Sequence, residues 1–389
     1  MRGQLKISNS LDSRFKFRVA RTQHELSEAY RILHDCYLEQ GYGTKQESGM
    51  RIVKYFALPS TTTLIALYDD EVVGTISIIR RASFGLPMET VFDLSDFVDR
   101  NEIIAEVSSL AIDARFRQHR GALFLPLLKY FWEFVEGFMN LNSIVITVNP
   151  TMTDFYEGFL GFKRLKHAKA EKYDFANGNP GIGMYLNVQN APILFAKLYD
   201  HKAREKNLYR YFVELKLPHF ELPDRSYYKS ADPVMTPSML EYFFSKQTNV
   251  LAELSVTEKL GLASAYPTDV YRHVLPDFDI DKKRDHIRYK VNLKAFFPAL
   301  TDSNLVVLDV SSKGICIASS VSISGIVLLQ IQVANGKNAE VRGEVRWEDA
   351  RRKIYGISLY SEDSTWADFL SYLDQDFTDL ITNARQKAS

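Results

Sequence analysis

The chain has 389 residues, of which 46% are hydrophobic and 25% charged, and 48 Lys and Arg residues balance 48 Asp and Glu residues. This length and composition predict a globular protein of two or three domains and exclude a chain dominated by disorder. The even charge balance excludes a general attraction to DNA, RNA or an acidic membrane, so any basic site must be local.

The N-terminal segment, the apolar stretches and the cysteines bear on the cellular location of the protein. The first 14 residues read as a polar tail without the apolar stretch of a secretion signal, and no run approaches the roughly 20 apolar residues of a membrane helix. Cys36 and Cys316 are the only cysteines, and they fall far apart in the chain. These features predict a reduced, cytoplasmic protein, and no metal site is expected.

The first half of the chain predicts alternating strands and helices. Thr22 and Glu25 have the spacing of a capping box, which predicts a helix from about residue 22 to residue 40. A β-branched, alternating pattern predicts a hairpin around the acidic turn 69–71. The remaining predicted elements here are a strand over 15–20, a helix over 48–56, hairpin strands over 61–68 and 72–80, and a short helix over 93–100.

A buried strand, a basic loop and a buried helix follow, over residues 106–112, 115–122 and 123–135. The loop contains Arg115, Arg117, Gln118, His119 and Arg120 and opens the helix. Free backbone N–H groups and the helix dipole favour an anion at such a point. A strand over 143–148, a helix over 153–160 and strands over 162–165 and 183–188 complete this part.

The segment EVSSLAIDARFRQHRGAL resembles the acyl-donor motif of the GNAT N-acyltransferase superfamily. More narrowly, it and the segments LPMETVFDLSDF and NPTMTDFYEGFLGF resemble the N-acyl amino acid synthase (FeeM-like) family. The resemblance implies a GNAT-like mixed α/β domain at 15–190 that moves an acyl group from a carrier-protein or coenzyme A thioester to an amine, that of an amino acid. It also implies the donor-binding residues Leu110, Ile112, Arg117, Gln118, Arg120, Gly121 and Ala122.

Two residues are the candidate catalytic groups. Glu106 starts a buried strand, where burial raises a carboxyl pKa and suits a general base. Tyr156 falls where GNAT enzymes often carry the tyrosine that faces the thiol. The alternatives are a paired or solvated carboxylate at Glu106 and an aromatic side chain at Tyr156 that only packs its helix.

Three departures from the family pattern leave other functions open. Leu123 replaces a small residue of the donor motif, Ser109 stands where the family usually has Arg, and Met152 or Thr153 stands where it usually has His. A bulky Leu123 favours a carrier-protein thioester over coenzyme A. The alternatives are a catalytically degenerate domain that binds a partner or a lipid, and an ordinary acetyl-coenzyme A transferase.

Residues 191–280 predict a helical connector, with helical periodicity over 191–209 and 237–262. Its apolar faces suit packing between domains better than covering an acyl channel. From residue 281 short alternating strands predict a small closed barrel, followed by a helix over 364–387. The strands are predicted over 289–297, 305–310, 315–318, 325–333, 338–347 and 354–359.

The barrel resembles the PilZ domain, a bacterial receptor for cyclic di-GMP. It carries an Arg-x-x-x-Arg pair, Arg284 and Arg288, and an Asp-x-Ser-x-x-Gly motif at Asp309, Ser311 and Gly314. Guanidinium forks bind phosphates, whereas Asp and Ser side chains bond to a base edge. The resemblance implies a PilZ domain with a C-terminal helix at 281–389. For the whole protein it implies a cytoplasmic bacterial effector in which cyclic di-GMP acts on the preceding acyltransferase domain.

Overall fold

The computed structural model describes residues 11–117, 123–232, 235–266, 268–275 and 286–386. Its first part contains seven strands and five helices, which agrees with the predicted mixed α/β class. They are β1 (Phe15–Val19), α1 (Gln23–Glu39), β2 (Thr61–Tyr68), β3 (Glu71–Arg80), α2 (Ser95–Asp99), β4 (Ile104–Ile112), α3 (Ala114–Arg117), α4 (Phe124–Phe138), β5 (Ser143–Val148), α5 (Thr153–Gly158), β6 (Lys163–Tyr173) and β7 (Asn179–Asn187).

These strands form one sheet in the order β1-β2-β3-β4-β5-β7-β6. Among the seven described strands of this sheet, only the neighbours β4 and β5 run parallel, at its centre. The predicted capping box is present, because Glu25 N donates to Thr22 Oγ1 at 3.2 Å and Thr22 N donates to Glu25 Oε2 at 3.2 Å. The helix predicted over 48–56 is wrong: only a 3₁₀ turn, Lys54–Ala57, forms there.

A hydrophobic core lies on each face of the sheet. The first core is built around α4, which is buried from Leu125 to Val135. The second core contains α1 and the 3₁₀ turn, with Tyr30 and Phe56 stacked at 5.1 Å. A helix that is apolar on nearly all sides, as α4 is, must be covered on both sides.

The predicted connector contributes side chains to the hydrophobic core on each face of the sheet. It comprises α6 (Ala191–Tyr199), a π-helix (Arg210–Glu214), α7 (Pro237–Glu241), a second π-helix (Tyr242–Lys246), α8 (Val250–Glu253), α9 (Val256–Ala265) and α10 (Thr268–Tyr271). Phe195 and Phe212 belong to the first core, and Leu240 and Phe244 to the second. The connector is helical as predicted, but short segments replace the two continuous periodic stretches.

The last part is a closed barrel of six strands, as predicted, in the order β10-β13-β12-β11-β8-β9. Its strands are β8 (Tyr289–Phe297), β9 (Leu300–Ser311), β10 (Gly314–Ser319), β11 (Ile326–Ala334), β12 (Lys337–Asp349) and β13 (Ile354–Glu362), and α11 (Ser364–Gln386) follows. Trp366 and Phe369 of α11 are fully buried in the barrel core.

Strand β9 contributes side chains to two different hydrophobic cores. Leu305 and Val307 point into the barrel core, whereas Val306 and Leu308 pack against the first core of the sheet. Alternation along a strand produces this division, since successive side chains point to opposite faces. Lys294 of β8 adds a polar contact, because its Nζ donates to the Leu141 carbonyl at 3.2 Å.

Within the described part of the chain, no helix has both the length and the apolar character needed to cross a membrane. The same residues contain no group of three or more His, Cys, Asp or Glu side chains placed to hold a metal ion.

Candidate active site and candidate nucleotide site

The central parallel strands separate partway along their length. Residues Ile104, Ala105 and Glu106 of β4 pair with residues 143–145 of β5, and the register ends there although both strands continue. A cavity of about 440 Å³ occupies the opening between them. Because this opening passes through the sheet, the cavity reaches side chains of both cores.

A backbone irregularity in β4 lies beside this opening. Ser109 has φ +59°, a left-handed conformation that is uncommon for a residue with a side chain. The β3–β4 register shifts between Thr75 and Ser77, so Ser109 and Leu110 have no partner residue in the described ladder. Such bulges are frequent next to active sites, where they redirect backbone groups.

Glu106 lies at the point where the strands separate. The residue is 2% exposed; Oε2 accepts from Met88 N at 2.8 Å and Oε1 accepts from Tyr173 OH at 3.3 Å. Burial raises the pKa of Glu106 from 4.5 to about 8, and the two hydrogen bonds only partly oppose this rise. No cation pairs with it among the described residues, so the carboxyl group can accept a proton in the neutral to mildly basic range.

Tyrosine hydroxyls surround the same end of the cavity. Burial raises the pKa of Tyr156 to about 12, with a smaller contribution from Tyr37, so Tyr156 keeps its proton at neutral pH. Burial and repulsion from Glu106 raise the pKa of Tyr173. Burial also raises the pKa of Tyr37, and its hydroxyl contacts Ser108 and the backbone of Ser109. The structure therefore brings together Glu106 and Tyr156, the two predicted catalytic residues.

The other end of the cavity is apolar. One face of α4 lines it at helical spacing, through Phe124, Leu128, Phe131 and Trp132. Further lining comes from β5, β7, α6 and the first π-helix, namely Ile144, Ile146, Leu186, Phe195 and Phe212. The cavity thus joins a titratable, hydroxyl-rich end to an apolar end of the kind that accommodates an alkyl chain.

The predicted donor-binding residues are found in different places. Leu110 lines the cavity, whereas the Ile112 carbonyl accepts from Cys36 Sγ at 3.3 Å and from Arg117 Nε at 2.7 Å. The Arg117 guanidinium also pairs with Glu39 of α1. The predicted residues Gln118, Arg120, Gly121 and Ala122 lie outside the described residues.

Leu123, the bulky residue of the donor motif, is buried in the protein. Its side chain is 2% exposed and belongs to the first core. It packs against Gly74 of β3, where an added Cβ would lie 3.5 Å from Leu123 Cδ2. The extra bulk is therefore accommodated inside the protein, and the steric reason for preferring a carrier-protein donor over coenzyme A is removed.

Sequence reasoning missed several cavity residues. The partnership of Glu106 with Tyr173 joins residues 67 positions apart, and Ser109 shows its unusual backbone only in three dimensions. Phe195 and Phe212 belong to the connector, whose apolar faces were expected to pack between domains, but both line the cavity. The helical spacing of aromatic residues on one face of α4 was the one sequence pattern that could have indicated the apolar end of this cavity.

The barrel has its own cleft, of about 680 Å³. Arg288 Nη1 donates to Asp309 Oδ1 at 2.5 Å, and Lys290 Nζ donates to Asp309 Oδ2 at 3.2 Å. The structure thus places the predicted residues Arg288, Asp309, Ser311 and Gly314 in one cleft, and Arg284 lies outside the described residues. The cleft is also lined by His286, Lys290, Lys313, Arg346, Trp347 and Arg352.

The structure gives a steric reason for glycine at position 314 that the motif did not reveal. A Cβ on Gly314 would lie 2.7 Å from the Ile357 carbonyl oxygen of β13. Ser311 Oγ donates to the Gly314 carbonyl at 3.1 Å and closes the turn between β9 and β10. Glycine is therefore needed where the turn approaches a neighbouring backbone, which keeps the cleft floor compact.

Residues 28–187 match the family model of the N-acyl amino acid synthase FeeM. This segment runs from within α1 to the end of β7 and is less than half of the chain. No curated protein matches the chain.

Several solved structures resemble the same part of the protein. FeeM, an N-acyl amino acid synthase from uncultured soil microbes, is 25% identical, with 46% of this chain and 94% of that chain covered and a TM-score of 0.39. BjaI, a coenzyme A-dependent acyl-homoserine lactone synthase solved with SAM and isopentyl-CoA, is 19% identical, with coverages of 47% and 88% and a TM-score of 0.36. The acyl-homoserine lactone synthase LasI is 14% identical, with coverages of 46% and 95% and a TM-score of 0.35. The family match indicates that residues 28–187 form an N-acyltransferase domain similar to the N-acyl amino acid synthase FeeM family.

Proposed function

We propose that the N-terminal domain transfers a long acyl group from a carrier-protein or coenzyme A thioester to the amine of an amino acid, and that cyclic di-GMP bound to the barrel regulates this transfer. The observation that carries the first part is the cavity between β4 and β5. It places a buried carboxyl group at one end and an apolar chamber at the other.

The residues at the polar end fit the steps of acyl transfer. Glu106 accepts a proton from the attacking amine as its nitrogen bonds to the thioester carbonyl carbon. Leu110, which follows the bulge residue Ser109, lines the opening and has no partner residue in the described ladder, and its backbone N–H group stabilises the developing oxyanion. The carbon–sulfur bond then breaks, and Tyr156, protonated at neutral pH, donates a proton to the thiolate.

A partly buried arginine behind two cavity-lining rings supports an amino acid as the acceptor. The Arg51 guanidinium lies 4.4 Å above the Tyr37 ring and 5.0 Å above the Phe175 ring, and both rings line the polar end. Its Nη2 donates to the Phe175 carbonyl, but its buried Nε has no partner and no ion pair holds it among the described residues. A carboxylate on the acceptor supplies the missing anion.

The size of the apolar end argues against the acetyl group as the natural cargo. An acetyl group would leave the surfaces of Leu128, Phe131 and Trp132 uncovered, and burial of a longer chain against them contributes about 0.8 kcal/mol per methylene.

Mass spectrometry tests the transfer. The purified protein is incubated with long-chain acyl-coenzyme A or acyl-carrier protein and a mixture of amino acids, and the expected product is an N-acyl amino acid. Products that carry only acetyl groups would favour the acetyltransferase alternative. Absence of any amide product, with a long-chain acyl ligand still bound, would favour a degenerate lipid-binding domain.

The barrel cleft supports the nucleotide part of the proposal. Five Lys and Arg side chains face two acidic ones in its lining, which suits a ligand with two phosphates. Asp309 holds Arg288 and Lys290 side by side at the cleft. Calorimetric titration of the full chain with cyclic di-GMP tests this part, and absence of binding heat and of any thermal shift would refute it.

A further inference from the structure

The apolar end of the cavity is closed by three aromatic side chains that come from three separate elements. Trp132 of α4, Phe195 of α6 and Phe212 of the first π-helix all line the cavity, and each is at most 4% exposed. The Trp132 and Phe195 rings meet edge-on at 6.3 Å, and the Phe195 and Phe212 rings stack at 5.7 Å. We call these three residues the aromatic wall.

We propose that the aromatic wall sets the longest acyl chain that the transferase accepts. This inference rests on the proposed function of the same cavity and adds its specificity. Two of the three wall residues lie after residue 187, where the match to the N-acyl amino acid synthase family ends. The chain-length limit is therefore supplied in part by residues beyond the matched segment.

The wall is fixed in place by a buried polar network. Lys129 of α4 is fully buried, and its Nζ lies 2.8 Å from Glu133 Oε1 and donates to the Phe212 carbonyl at 3.4 Å. Lys216 Nζ, just after the π-helix, donates to Glu133 Oε2 at 3.1 Å. Burial lowers the pKa of Lys129, while Glu133 opposes this change.

Burying such a charged network costs desolvation free energy, which a purely apolar contact does not. Removing charges from water is unfavourable, so a buried pair is better suited to fixing one arrangement than to adding stability. Here the arrangement that it fixes is the position of the π-helix on α4. π-Helical turns often mark functional sites, which agrees with a wall of defined depth at this point.

A limit set by rigid rings has a simple physical consequence. Each methylene that enters the apolar end gains about fourfold in affinity until the chain meets the wall. A further methylene must then displace tightly packed rings, and overpacking is unfavourable. Binding should therefore rise with chain length, reach a maximum and fall.

Changes on either side of the wall should move this maximum in opposite directions. Phe212→Ala removes a ring from the wall and should shift the optimum to longer chains, with about a fourfold gain in affinity for each extra methylene accepted. Leu186→Phe enlarges a side chain that lines the same end and should shift the optimum to shorter chains.

The matched control is Phe134→Ala. Phe134 is fully buried in the same core and on the same helix as Trp132, but it does not line the cavity. Its replacement should lower stability while leaving the length optimum unchanged. Phe212→Leu is a milder form of the wall variant and should give a smaller shift in the same direction if Phe212→Ala does not fold.

The probes are saturated S-acyl-pantetheine thioesters of increasing length, which carry the arm shared by both donor classes. Binding is measured by calorimetry without an acceptor, and transfer is measured separately with amino acids. A shifted binding optimum without transfer would support the wall and refute the transferase. Transfer with an unchanged optimum in folded Phe212 variants, or an equal shift in Phe134→Ala, would overturn the wall.

Discussion

Replacing Glu106 by Gln is the sharpest test of the proposed chemistry. Gln has the same shape as Glu and can still accept the hydrogen bond from Met88 N, so the cavity is preserved. It cannot accept a proton from the attacking amine. Because general base catalysis contributes a factor of about 10² to 10⁴, turnover should fall about 100-fold or more with little change in acyl-donor binding.

The pKa of Glu106 predicts the shape of the pH profile. With a pKa of about 8, the base is mostly protonated at neutral pH, so the wild-type rate should rise with pH and level off above about pH 8. The variant should lose this rise. Glu102→Gln is a suitable control, since Glu102 pairs with Arg100 and Ser143 outside the cavity and the rise should persist there.

The same pKa predicts an effect on folding that does not require activity. A carboxyl group with a pKa raised from 4.5 to about 8 stabilises the folded state fully below pH 4.5 and loses this contribution as the pH rises through 8. At about 1.4 kcal/mol for each pH unit, the full change is about 5 kcal/mol. The wild-type protein should therefore lose stability between about pH 5 and pH 9 relative to Glu106→Gln.

Denaturant unfolding of both proteins across this range measures the difference. Turnover of Glu106→Gln equal to wild type, with the pH-dependent rise intact, would show that another group or water accepts the proton. Parallel stability curves for the two proteins would show that Glu106 titrates in its ordinary range, and the argument from burial would then fail.

Three further predictions concern the acceptor, the nucleotide and their coupling. Arg51→Met should raise the KM for an amino acid acceptor about tenfold or more, because a charged hydrogen bond is lost. The control Arg31→Met, on the exposed face of α1, should leave this KM unchanged. Equal KM values for Arg51→Met and the wild-type protein would remove Arg51 from the site. Calorimetry should show that Arg288→Ala lowers cyclic di-GMP affinity at least tenfold while Arg342→Ala, outside the cleft, leaves it unchanged; unchanged affinity in Arg288→Ala would contradict the cleft assignment. Because Leu308 packs on the acyltransferase core and also lines the cleft, bound acyl-pantetheine should change cyclic di-GMP affinity about 5- to 150-fold. Identical dissociation constants for cyclic di-GMP with and without acyl-pantetheine would mean that the barrel recruits or relocates the enzyme instead of regulating it.

Strong local patterns made much of the fold predictable from sequence. Alternation and β-branching located the hairpin of β2 and β3, and the capping box at Thr22 located the start of α1. The barrel strands were predicted to within a few residues, since their side chains alternate between a core and an outer face. The failed helix over 48–56 had no comparable pattern, and it packs as a 3₁₀ turn because Tyr55 and Phe56 fill the second core.

The sequence by itself also selected Glu106, Tyr156 and the barrel motif as candidate site residues, since each combines a chemical residue type with a recognisable segment. Only the tertiary structure decided what surrounds them. The pKa of Glu106 depends on desolvation by residues distant in the chain, and the opening of the cavity depends on where the β4–β5 register ends. The aromatic wall links Trp132, through Phe195, to Phe212, which lies 80 positions further along the chain. Local periodicity carries no information about such contacts, because they arise when separate elements pack on the same core.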